Sequence, residues 1–293
     1  MYKEQEFKTY LLEENDASEL TLRAYLADVK EFDQYLDKQH KVANFCTEDD
    51  IKAFLNMLVD EKRSGSTLNR KMVSIRKYYG FLRQIGDVKT NIAAKIKVPK
   101  IEEKEADFLT IEEMEKLLSL PGDDPKGVRD RALLELLYAC GLKVSELTEL
   151  NLQDVDLRIG FVSCRGDRAK SRIIPMGHPA RKAILAYMKE ARPELLGDKE
   201  DKGALFLNYN GERITRQGVW KLLKYYGQKA EISDNLSPQI IRNSFAAHLI
   251  INGADLKSVQ ELLGTEDLST TKLFLKLSKN RVMDVYDKAH PRA

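Results

Sequence analysis

A chain of 293 residues, 43% hydrophobic and 32% charged, is long enough to bury two compact cores. No apolar run approaches the roughly 18 residues a membrane span needs, and the polar, acidic start Met1-Tyr-Lys-Glu-Gln-Glu does not read as a signal peptide. Three scattered cysteines (Cys46, Cys140, Cys164) without a CxxC pair point to a reducing cytoplasm, and four histidines (His40, His178, His248, His290) lack metal-ligand spacing.

The net charge of +2 is unevenly spread. Residues 1–61 carry 7 basic and 15 acidic side chains, whereas residues 62–100 carry 11 basic side chains and one acid, Asp87. A surplus of this size over 39 positions is the footprint expected of a phosphate-binding surface, with a merely solvated basic face as the plainer alternative.

The first hundred residues read as short amphipathic helices. Ser18 is placed to cap a helix with Leu20, Leu22, Tyr25, Val29, Phe32 and Tyr35 on its inner face. Thr47-Glu-Asp-Asp opens another, followed by Ile51, Phe54, Leu55 and Leu58. After a joint at Gly65, Leu68, Met72, Ile75, Tyr79 and Leu82 follow a 4-3-4-3 spacing, with Arg70, Lys71, Arg76, Lys77 and Arg83 off that stripe. One basic and one apolar side is what a helix lying against DNA requires.

A proline and mixed charge around Val98-Pro-Lys-Ile-Glu-Glu-Lys-Glu mark a linker. Beyond it, Thr110 and Glu113 form a capping-box pattern, and residues 129–150 are apolar and helical with a break at Gly141. Gly160-Phe-Val-Ser-Cys and Ser171-Arg-Ile-Ile-Pro read as two strands joined by a polar turn, and helices dominate after His178.

The stretch Pro238-Gln-Ile-Ile-Arg-Asn-Ser-Phe-Ala-Ala-His resembles the catalytic helix of the tyrosine site-specific recombinases (phage integrase family), Pro-His-x-x-Arg-His-Ser-Phe-Ala-x-His. Other islands similar to the Xer-type branch follow in order. They are Arg129-Asp-Arg-Ala-Leu-Leu-Glu-Leu-Leu-Tyr, Val144-Ser-Glu-Leu, Thr215-Arg-Gln-Gly-Val-Trp-Lys, Gly253-Ala-Asp-Leu, Val259-Gln-Glu-Leu-Leu-Gly and Val285-Tyr-Asp-Lys-Ala-His-Pro-Arg-Ala. The resemblance implies a mainly α (α+β) fold. A helical core-binding, SAM-like DNA-clamping domain would span residues 1–97 and a linker 98–107. A mostly helical catalytic-type domain with a small antiparallel sheet would span 108–293.

The resemblance also implies a chemistry without metal or cofactor. A tyrosine hydroxyl attacks phosphorus to give a 3′-phosphotyrosyl bond, two arginines with His or Trp donors stabilise the transition state, and a β-turn lysine protonates the leaving 5′-oxygen. Of the six matching positions only Arg242 is intact. Lys143, in Cys140-Gly-Leu-Lys-Val-Ser-Glu, replaces an arginine and loses its bidentate fork. Asp167, in Gly166-Asp-Arg-Ala-Lys-Ser-Arg, replaces the lysine and as a carboxylate repels phosphate. Gln239 replaces a histidine and donates a hydrogen bond without shuttling a proton. Thr265 follows Leu262-Leu-Gly where a second His or Trp belongs, and Phe274 ends Ser269-Thr-Thr-Lys-Leu-Phe where the nucleophile belongs.

Tyr286 reads as a packing residue, and His248 as a buried hydrogen-bonding group. The expected DNA-facing set is Arg70, Lys71, Arg76, Lys77, Lys170, Arg172, Arg216, Gln217 and Lys221. The leading expectation is a catalytically inactive recombinase paralogue that binds duplex DNA in the cytoplasm, at the nucleoid. The terminal stretch Arg281-Val-Met-Asp-Val-Tyr-Asp-Lys-Ala-His resembles a helix that docks into a neighbouring protomer, either another copy or an active recombinase. Two alternatives stay open: strand transfer through a displaced or complemented nucleophile, and a protein-interaction module that no longer binds DNA.

Overall fold

The computed structural model describes residues 3–15, 19–99, 107–165, 171–232 and 236–264. The Ser18 cap, Asp167, Lys170, Thr265, Phe274, Tyr286 and the terminal docking stretch lie outside the described residues. The chain divides into two compact units, Met1–Lys104 and Glu105–Ala293.

The first unit contains α1 (Glu4–Asn15), α2 (Glu19–Asp37), α3 (Glu48–Asp60) and α4 (Gly65–Gln84). Local chemistry sets where α3 and α4 begin. Thr47 Oγ1 accepts the Asp50 N–H while the Asp50 carboxylate accepts the Thr47 N–H, a complete capping box, and Ser64 caps α4 through the Thr67 N–H. The expected apolar stripes of α3 and α4 are buried throughout, and Tyr78 and Phe81 join them. Helix α1, which the sequence did not single out, contributes Phe7 and Leu11, one turn apart, to the same core.

Helix α4 departs from expectation at its basic residues. Lys71 is only 4% exposed, and its ammonium donates to Asp28 at 3.1 Å and Glu31 at 2.6 Å, both on α2. Asp28, 2% exposed, also accepts from Arg70 and, at 2.8 Å, from the Ser74 hydroxyl. Arg76 bonds the carbonyls of Ala93 and Ile96, and Lys77 is half-buried. Part of the basic surplus therefore compensates acidic residues of α2 inside the unit, which linear charge counting cannot register.

The second unit opens with α5 (Ile111–Ser119), α6 (Pro125–Cys140) and α7 (Val144–Glu149). Thr110 and Glu113 form the expected capping box, and Gly141 ends α6 in the left-handed conformation at φ 55°. An antiparallel sheet follows in the order β1 (Val155–Asp156), β2 (Phe161–Arg165), β3 (Ser171–Pro175). Cys164 pairs with Arg172 and Arg165 with Ser171, so the ladder runs to the last described residues of both strands. The short strand β1 was not foreseen; two residues are too few for a period to show.

Helix α8 (His178–Ala186) runs through a π turn, Tyr187–Ala191, into α9 (Arg192–Leu196); α10 (Arg216–Lys229), α11 (Pro238–Ile251) and α12 (Leu256–Leu263) follow among the described residues. Two motif residues at the start of α6 turn out to be internal ties. Arg129 bonds the Leu207 carbonyl at 3.0 Å, and Asp130 accepts from the Tyr226 hydroxyl of α10 at 3.0 Å. Among the described residues no helix is long and apolar enough to cross a membrane.

Asp28→Ala should destabilise the first unit by about 1–3 kcal/mol, because it removes the buried acceptor that Arg70, Lys71 and Ser74 share and leaves the Lys71 ammonium with Glu31 alone. Denaturant titration followed by circular dichroism measures this. Asp28→Leu combined with Lys71→Met should recover most of the loss, and failure to do so would count against the charge explanation.

Candidate nucleic-acid interface

Helix α11 carries the main motif, and its side chains project to different ends. Arg242 is 6% exposed. One Nη donates to the Gly141 carbonyl and the other, at 2.6 Å, to the Leu263 carbonyl, so the guanidinium sits on the C-terminal ends of α6 and α12 together. Both ends carry unpaired carbonyls and partial negative charge, which a buried cation satisfies.

Glu146 of α7 lies 4.0 Å from Arg242 and accepts both arms of the Arg172 fork, at 2.6 and 2.8 Å. Its second oxygen also accepts the Lys143 N–H at 2.8 Å, while Arg172 Nε donates to the Leu262 carbonyl at 2.8 Å. Burial alone would raise the Glu146 carboxyl, but the Arg172 fork, the Lys143 N–H and the Arg242 charge outweigh it and hold it below its ordinary value. Burial brings Arg242 down to about 10, which leaves it charged at neutral pH. Arg172 is raised: burial opposes its charge, and the bond to Glu146 more than offsets this.

Two glycines at helix ends allow close packing here, Gly141 against Phe245 and Gly264 against the cluster itself. A Cβ on Gly141 would meet the Phe245 ring at 2.4 Å, and one on Gly264 the Arg172 guanidinium at 2.8 Å. Arg172 therefore differs from its expected role. Its fork is turned inward onto Glu146 and a backbone carbonyl rather than toward an external phosphate.

At the other end of the motif, Ser237 caps α11 by accepting the Ile240 N–H, and Pro238 starts its first turn. Gln239 is exposed in that turn, where the helix dipole is positive, and its Nε2 donates to Asn243 Oδ1 at 2.8 Å. Asn243 Nδ2 donates to the Asp107 carbonyl at 3.0 Å. One turn on, His248 bonds the Tyr138 hydroxyl at 2.8 Å and the Leu109 carbonyl at 2.9 Å, and burial lowers its pKa. Lys143 sits half-buried at the N-cap of α7.

Helix α10 presents the second group. Thr215 caps it, leaving Arg216, Gln217 and Lys221 on the solvent side, with Arg216 3.7 Å from Glu149. The same side carries Trp220, 49% exposed, and Tyr225, 57% exposed, together with Lys224. The sequence reading did not assign these three; their spacing of four and five residues along a basic helix was the available signal. Burial pushes the thiols of Cys140 and Cys164 up to about 12, so neither is a thiolate nucleophile.

Residues 107–281 match the phage integrase family, and residues 5–86 match the phage integrase N-terminal SAM-like domain. The chain belongs to the phage integrase family. Within it, the chain is similar to the Xer tyrosine recombinases. It is 40% identical to tyrosine recombinase XerD of Oceanobacillus iheyensis, covering 100% of this chain and 99% of that one. It is 39% identical to XerD of Staphylococcus haemolyticus, covering 99% and 98%. Among solved structures, the XerH recombinase bound to palindromic difH substrate in a post-cleavage complex has a TM-score of 0.75 at 20% identity, covering 96% of this chain and 83% of that one. A lambda integrase dimer bound to a COC′ core site has a TM-score of 0.74 at 18% identity, covering 94% of each chain. These last two likenesses are of fold.

Glu146→Gln should lower the thermal midpoint at neutral pH, since two buried guanidiniums lose their counter-charge. The folded carboxyl is depressed, so its contribution is fully present above the ordinary glutamate value of about 4.3 and is lost as pH falls through the lower folded value. The gap between wild type and variant should therefore close on acidification below about pH 4. A gap independent of pH would contradict the assignment.

Proposed function

We propose that this chain is a duplex-DNA clamp of the tyrosine recombinase family that binds its site without cutting it. The observation that carries this reading is Phe274, aligned by Ser269-Thr-Thr-Lys-Leu with the place of the nucleophilic tyrosine. A phenyl ring has no oxygen with which to attack phosphorus. Asp167 at the place of the general acid, Gln239, Thr265 and Lys143 add to the same conclusion. Loss of one transition-state donor costs roughly 10²–10³ in rate, and here nucleophile and acid are both absent.

DNA binding is supported by the exposed cations and aromatics of α10, by the positive end of α11 at Gln239, and by Lys143. Solved relatives of this fold are held on DNA, including a transposon integrase as an arginine-to-lysine variant and as a tyrosine-to-phenylalanine variant. Residues 1–97 are proposed as the clamping domain and 108–293 as the degenerate catalytic-type domain. A bound, uncut site would be regulated, supported architecturally or blocked for an active recombinase, with which the terminal stretch would pair. Activity through a complemented nucleophile is the second reading, favoured by 40% identity to a protein named tyrosine recombinase.

The test is a nicked suicide duplex carrying an inverted-repeat site, run on native and denaturing gels. A native shift with no denaturation-resistant adduct is expected, and a covalent adduct would overturn the inactive reading. Phe274→Tyr alone should give no adduct, because the other altered positions remain. Arg216→Ala and Lys221→Ala should each reduce the slope of log affinity against log salt by about one.

A further inference from the structure

Gln239 and Asn243 stand one helical turn apart on α11, at two places where the family motif has histidine. Their amides are joined, and the direction of the join follows from chemistry. The Asp107 carbonyl only accepts, so the Asn243 NH₂ must face it, 3.0 Å away. The Asn243 oxygen then faces Gln239, whose NH₂ must supply the bond at 2.8 Å. Asn243 is buried while Gln239 is exposed, so the chain of bonds runs from a fixed backbone group outward to the surface. Ser244 Oγ accepts the Leu109 N–H at 2.8 Å and holds the same strip of backbone in place.

We propose that Asn243 is a positioning residue, anchored on the Asp107 carbonyl, that orients the Gln239 carboxamide as a neutral contact for DNA at the start of α11. This rests on the DNA-binding reading above. Gln239 touches the ligand, and Asn243 acts only through it. A free Gln side chain loses rotamer entropy on binding; one already held by Asn243 loses less.

The experiment is a double-mutant cycle on the full chain, reading affinity for a labelled duplex at fixed salt, with thermal midpoints in parallel. Gln239→Ala and Asn243→Ala should each weaken binding by up to about tenfold, the scale of one hydrogen bond. The double variant should bind no more weakly than Gln239→Ala. Asn243→Asp keeps the acceptor toward Gln239 but loses the donor toward Asp107, so it should behave like Asn243→Ala rather than rescue. Side-chain amide NMR provides a readout without DNA: the Gln239 NH₂ signals should move toward free-glutamine positions in Asn243→Ala. Additive losses in the cycle, or unmoved Gln239 signals, would overturn the positioning role while leaving DNA binding intact. No salt-sensitive binding by the wild-type chain would overturn the DNA reading and this inference with it.

Discussion

The second unit depends on one buried carboxylate, Glu146, shared by two arginines from distant parts of the chain. Arg172 comes from β3 and Arg242 from α11, and both are largely buried. Three buried charges in a low-dielectric interior are tolerated only when their hydrogen bonds are complete. Here they are met by Glu146 itself and by the carbonyls of Gly141, Leu262 and Leu263. The cluster carries one more positive than negative charge, and the carbonyl ends of α6 and α12 supply the balance. A single polar knot thus fixes where two helices end and where a strand and a short helix lie against them.

That knot gives Arg242 a structural role beside the one its motif implies. In the sequence, Arg242 is the sole survivor of a phosphate-binding set. In the fold, its guanidinium also closes two helix ends, a structural job that does not depend on any chemistry at phosphorus. Lys143 contributes a backbone N–H to Glu146, which any residue except proline could provide.

The first unit applies the same logic to charge. Asp28 gathers Arg70, Lys71 and Ser74 of α4 against α2, so a helix that is basic in composition is partly neutral in place. Exposed cations remain in both units, among them those of α10, where Trp220 and Tyr225 lie beside Lys221 and Lys224. Aromatic rings beside cations suit a polyanion that also offers flat or methyl-bearing surfaces.

Much of this was legible in the chain. The helix opening at Thr47, the capping box at Thr110, the apolar stripes of α3 and α4 and strand β3 all follow from local rules of spacing and end-capping. So did family membership, because motifs fix the order of chemical groups, and the absence of a hydroxyl at Phe274 is a fact of sequence. The tertiary structure alone decided which charges meet. Lys71 found Asp28 forty-three residues away, Arg172 found Glu146 twenty-six away, and Asn243 found Asp107. A side chain's partner across such distances is set by packing between elements, which neither periodicity nor net charge encodes.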